Sequence, residues 1–93
     1  MTLQPLPKVE IRHPHVCVDP SVLAGSPHVA GSRVLVRRLW MWHRSGASVE
    51  VLVKRYPAIG IAKVLDALSF AYDNTALIEA DLAREADLAK TRG

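Results

Sequence analysis

The chain has 93 residues, 49% of them hydrophobic, and a formal net charge of +3. That length fits one domain, and that apolar share excludes wholesale disorder. A chain this short buries little more than about 60% of the surface its unfolded form exposes, so self-association is a natural supplement to a thin core.

Pro5, Pro7 and Pro14, with Pro20 just beyond, mark residues 1–15 as an extended arm, because proline neither donates to a ladder nor continues a helix. Val9 and Ile11, then Val16 and Val18, alternate over short runs and suggest one or two brief strands. Asp19-Pro20 opens a turn, and Ser21 to Leu23 suits a single helical turn. The segment Gly25-Ser-Pro-His-Val-Ala-Gly-Ser-Arg33 is punctuated by Gly25, Pro27 and Gly31. It reads as a tight, shaped hairpin, with Gly31 at positive φ. Arg33 to Val36 either pairs with it or leads into the next helix.

The first long helix is predicted from about Leu35 to Ser45, with Val36, Leu39, Trp40 and His43 on one face and Gly46 just past its end. Ser48 is a good cap for a second helix from Val49 to Tyr56, with Glu50 in its first turn, and Pro57 stops it. A short turn to Gly60 leads into a third helix from about Ile61 to Tyr72, whose expected buried stripe is Ile61, Val64, Leu65, Leu68 and Tyr72. Asn74 or Thr75 caps a fourth helix to about Lys90, with Ile78 and Leu82 near its start. The expected fold is mainly α: a small N-terminal β-hairpin, a trihelical, winged-helix-like helix-turn-helix, and a C-terminal helix. The expected organisation is an arm over 1–15, a helix-turn-helix domain over 16–73 and a C-terminal helix over 74–93.

Charge is uneven along the chain. Residues 1–56 hold eight Lys/Arg and three acids, and residues 57–93 hold four against six. A basic front beside a helix-turn-helix pattern suggests duplex DNA as a partner. Arg33, Arg37, Arg38, Arg44, Lys54 and Arg55 are the candidate phosphate contacts, joined by Lys63 and Ser69 on the expected outward face of the third helix. That face, with Ala62, Asp66 and Asp73, is weak for reading bases. A surplus of this size is also what ordinary solvated charge gives. Met41 and Trp42 fall beside or opposite the apolar stripe of the first helix. They are candidates for a homodimer interface, where Trp and Met are enriched; the competing reading is a helix packed on two sides of its own domain.

Catalytic patterns are missing. The sequence suggests no Ser-His-Asp set, phosphate-cradling loop or paired carboxylate, so neither an enzyme nor a cofactor is expected. His13-x-His15-x-Cys17, with His28, places metal-capable side chains at strand spacing, but that spacing is unlike known zinc sites and Pro14 disturbs the strand, so no metal is expected. Cys17 is the only cysteine, read most simply as a small buried residue. With no disulfide, signal peptide or spanning run in view, a cytoplasmic location without a membrane partner is expected.

Asp19-Pro20, Gly25-x-Pro27, Ala30-Gly31-Ser32-Arg33-Val34, Ser45-Gly46-Ala47-Ser48, Tyr56-Pro57 and Ala67-Leu68 together carry a resemblance. The chain resembles the domain of unknown function 433 family over roughly residues 16–82. Members of that family are similar to VapB-type antitoxins. The resemblance implies a compact, dimerising helix-turn-helix that binds operator DNA as an autorepressor and neutralises a PIN-like ribonuclease toxin. Ser32 stands where the family has Thr, Leu35 where it often has Pro, Gly60 where Thr usually caps the third helix, and Ala62-Lys63 where an acidic pair is common. The alternative is an interaction or scaffold module that keeps the fold without reading DNA.

Overall fold

A computed structural model describes residues 5–92, and the side chains of 5–88. The expected arm therefore has its first four residues outside the described part, as the C-terminal segment has Gly93. In chain order the elements are β1 (Val16–Cys17), β2 (His28–Val29), α1 (Val36–Arg44), α2 (Val49–Arg55), α3 (Gly60–Asp73) and α4 (Thr75–Arg92). The protein is mainly helical, with a small N-terminal two-stranded antiparallel sheet, as the sequence predicts.

Strand pairing settles the hairpin. Val16 faces Val29 and Cys17 faces His28. A second, isolated bridge joins His28 to Leu35, so the segment after Gly31 both pairs and leads into α1. Between them the Val29 N–H donates to Val34 O at 2.9 Å, and the Ser32 hydroxyl donates to Val29 O at 2.9 Å. Gly31 sits in this turn at φ +77°, a backbone angle that a Cβ strains. The Pro27 carbonyl takes the Val36 N–H at 3.0 Å, so the hairpin caps the first helix.

The connection between the strands differs from expectation. The single turn expected over Ser21 to Leu23 forms two residues later, as a 3-10 turn at Leu23–Gly25, and Leu23, Ala24 and Gly25 are all left-handed, at φ 51°, 56° and 83°. Each of the two non-glycine residues costs about 1–3 kcal/mol there and persists only where the surroundings hold it.

The helices lie where expected, to within a residue or two. Ser48 accepts the Val51 N–H at 3.2 Å and caps α2. Gly60 is the first residue of α3 at φ +78°, so it supplies a backbone angle rather than a cap. The core gathers Val29 from β2; Val36, Leu39 and Trp40 from α1; Leu52 from α2; and Val64, Ala67, Leu68, Phe70 and Ala71 from α3. Leu77 and Ile78 of α4, with Ile59 from the turn before α3, complete it. Helix α1 packs on α3 and α4, and α2 packs on α3.

Two sequence expectations are corrected here. The buried stripe of α3 is rotated: Ile61, Leu65 and Tyr72 are 55%, 49% and 55% exposed, while Ala67 and Ala71 are fully buried. Alanines are short enough to let a neighbouring helix approach closely, so a stripe that carries them suits the packed side of α3. Cys17, expected to be buried, is exposed on β1.

Candidate functional site

Three features stand out: a buried ion network, a latch that holds the arm, and the outward face of α3. The network centres on Asp81 of α4, whose side chain is fully buried. The Ser26 hydroxyl donates to Asp81 Oδ1 at 2.7 Å. Arg37 Nη1 reaches Asp81 Oδ2 at 3.2 Å, and Arg84 Nη2 reaches Oδ1 at 3.2 Å. Both guanidinium groups also donate to Ser26 Oγ at 3.0 Å, and Arg84 Nη2 donates to Ala24 O at 2.9 Å. Glu85 closes the outer side, accepting from Arg37 Nε at 3.0 Å and Nη2 at 2.8 Å and lying 3.4 Å from Arg38 Nη2. A buried charge of this kind is tolerable only when paired and hydrogen-bonded, and here it holds the left-handed turn against α4.

This network alters the set of candidate phosphate contacts. Arg37 is committed inside the fold, and Arg38 shares Glu85 while remaining 48% exposed on its side chain. Lys63 Nζ donates to Ala30 O at 3.2 Å and so ties α3 to the hairpin. Arg33, Arg44, Lys54 and Arg55 are exposed and form no ion pair among the described residues. Two of them rest on indoles: Arg44 lies 5.5 Å from the Trp40 ring and Arg55 lies 4.2 Å from the Trp42 ring. Ser69 is exposed on α3.

Trp42 packs partly buried against the core of its own chain with Arg55 over its ring, while Met41 is 37% exposed. A second exposed apolar surface lies on α3. Ile61, Ala62, Leu65, Ser69 and Tyr72 project outward along α3 and carry no charge, while the exposed Asp73 beside them is paired with His13. Tyr72 is oriented by His43, whose Nε2 lies 2.6 Å from its hydroxyl, and by an edge contact with Trp40 at 4.8 Å. The Trp40 indole N–H in turn donates to Glu79 Oε1 at 3.1 Å.

The arm is latched to α3 at two points. Asn74 accepts the Glu10 N–H at 2.7 Å and the Ile11 N–H at 3.0 Å, and returns its amide to Ile11 O at 2.8 Å. Its expected role as a side-chain cap of α4 thus gives way to a clamp. Thr75 does not cap either, since its hydroxyl donates back to Ala71 O and Tyr72 O. His13 lies between two carboxylates, with Nδ1 2.8 Å from Asp66 Oδ1 and Nε2 2.7 Å from Asp73 Oδ2. Both nitrogens donate only in the protonated ring. The Asp66 hydrogen bond chiefly raises the pKa of His13, burial opposes it, and Asp73 adds to the rise. For Asp66, burial favours the neutral acid, but the hydrogen bonds from His13 and the His15 N–H outweigh it and hold the pKa below its ordinary value. His13 is thus an arm-to-helix contact. No group of three or more His, Cys, Asp or Glu among the described residues is placed to hold a metal.

Neither Asp81 nor His13 was singled out for these roles from sequence. The available signals were Asp81-x-x-Arg84-Glu85 at helical spacing and the hydroxyl inside Gly25-Ser26-Pro27. No helix of the described residues is long and apolar enough to cross a membrane.

A family model described as "Protein of unknown function (DUF433)" matches residues 16–71, ending within α3. Among solved structures, the crystal structure of a DUF433 member protein from Anabaena variabilis ATCC 29413 is similar, with a TM-score of 0.68 and 22% identity, over 74% of this chain and 68% of that one. That likeness speaks for the fold. No curated protein matches.

Proposed function

The chain belongs to the DUF433 family, and from that premise we propose that it is a non-catalytic interaction module that pairs with a second copy of itself through α3. The observation that carries this reading is the outward face of α3. A helix-turn-helix protein that reads DNA lays this helix in the major groove and needs cations or amides on it. Here the helix presents Ile61, Leu65 and Tyr72, each about half exposed, and its one lysine is bonded to Ala30 O. An uncharged stripe suits a two-fold contact, because any charge near the axis would meet its own copy. The exposed thiol of Cys17 fits a reducing compartment such as the cytoplasm.

Light scattering on the full chain tests this. The wild type is expected to be a dimer at tens of micromolar. Leu65→Glu is expected to be a monomer with unchanged helical circular dichroism, since residue 65 already faces solvent in the single chain. A monomeric wild type refutes the reading. Complex formation with a PIN-like ribonuclease that Leu65→Glu abolishes would assign the face to a toxin instead.

The second reading, an operator-binding antitoxin and autorepressor, is favoured by the four cations Arg33, Arg44, Lys54 and Arg55, which no carboxylate among the described residues neutralises. Fluorescence anisotropy on duplex DNA from the chain's own promoter separates the two. DNA binding should weaken with salt by a slope of about 0.9 per phosphate contact. Absence of binding at low salt leaves the interaction module alone.

A further inference from the structure

A cavity of about 990 Å³ lies between the folded-back arm, the segment around β1 and the left-handed turn, and the facing sides of α3 and α4. It sits at the upper end of the range of small-molecule sites, about 300–1,000 Å³. Leu6, Val16, Phe70 and Leu77 give it apolar walls drawn from the arm, β1, α3 and α4. Lys8, Arg12, His13 and Arg84 border it and none of the nine carboxylates of the chain is among its lining residues; His13 and Arg84 are paired with carboxylates behind the wall, and Lys8 and Arg12 form no ion pair among the described residues.

Arg84 is the informative member. Its side chain is 11% exposed and anchored by the buried Asp81. Every hydrogen bond it makes among the described residues runs through Nη2, to Ala24 O, Ser26 Oγ and Asp81 Oδ1. Its Nε and Nη1 donors have no hydrogen-bond partner among the described residues and are not buried without one. A guanidinium fixed at one corner with donors to spare is suited to a planar, two-oxygen acceptor. The exposed Lys8 and Arg12 supply further positive charge from the arm.

We propose that this cavity binds a small amphipathic monocarboxylate, with its carboxylate held by Arg84, Lys8 and Arg12 and its aliphatic body laid between the arm and the Phe70 and Leu77 walls. The site is separate from the outward face of α3 and stands whether or not the chain dimerises. Its cations attract the anion from solution, and its apolar walls select against a bare ion.

Isothermal titration of the full chain with decanoate, below its micelle concentration, tests the proposal. Decanoate should saturate at one equivalent, while acetate and decyltrimethylammonium should show no saturable binding. Amide shifts on titration should fall on residues 5–18 and on α4 near Leu77 and Arg84. Arg12→Glu and Lys8→Glu, both at exposed positions, should each weaken decanoate about tenfold, the loss of one charge-assisted contact. No saturation by decanoate overturns the proposal. So does equal binding of acetate or the cation, unchanged affinity in both variants, or shifts confined to the outward face of α3.

Discussion

Ser26 and Asp81 stand 55 residues apart and share a 2.7 Å hydrogen bond. Two arginines depend on that carboxylate, so its charge, rather than its shape alone, holds the left-handed turn to α4. Asp81→Asn keeps the shape and removes the charge, leaving Arg84 without its carboxylate and Arg37 with Glu85 alone; it should destabilise by about 3 kcal/mol or more, read by urea denaturation. A loss within error would mean that Glu85 and solvent suffice. Gly31 poses a backbone question instead. A Cβ there would meet only Lys63 Nζ, at 3.8 Å, so space is not the obstacle. The angle of +77° is, and Gly31→Val should cost more than about 1 kcal/mol in a thermal melt.

The arm is the element whose attachment depends on pH. His13 gains a partner on each ring nitrogen when the arm is down, so its folded pKa is raised. Its contribution is complete below the ordinary imidazole value of 6.5 and is lost as pH rises through the raised value. Asp66 has the opposite sign: its contribution is complete above the ordinary 3.8 and is lost as pH falls through its lowered value. The latch is therefore firmest between those two ordinary values. Amide exchange at Glu10 and Ile11, corrected for intrinsic rate, should lose protection as pH climbs above that window. His13→Gln should remove the dependence on the alkaline side while the Asn74 clamp remains. Protection that is flat with pH would show that Asn74 alone holds the arm. Helix α3 illustrates a second point at this scale. Its sequence is apolar around most of its circumference, so periodicity yields two acceptable stripes, and only the packing of α1 and α2 on α3 selects the one that buries Ala67 and Ala71.

For the whole molecule, the proposed self-pairing makes stability depend on concentration. Linkage requires that a dimer melt at higher temperature as protein concentration rises. The wild type should show that rise, and Leu65→Glu should not. The rotated stripe leaves Ile61, Leu65 and Tyr72 in solvent, where the proposed self-pairing would use them. Of the candidate phosphate contacts, those with no ion pair among the described residues are divided between the hairpin, at Arg33, and the last turns of α1 and α2, at Arg44, Lys54 and Arg55. Such a set can position phosphates but brings no base-reading side chain with it.

By itself the sequence determined the element order, the helix limits, the tight turn at Gly31 and the family. Those depend on local chemistry: the fixed φ of proline, the freedom of glycine, the Ser48 cap and the repeat of apolar residues act over a few positions each. Tertiary structure alone decided which face of α3 is buried, that Trp42 belongs to its own core, that Arg37 is spent on Asp81, and that Asn74 and His13 fasten the arm. Each of these pairs residues about 10 to 65 positions apart, and a carboxylate has no sequence mark that says which distant cation it will meet. The energy that selects the partner arises from burial, and burial exists only once the helices have packed.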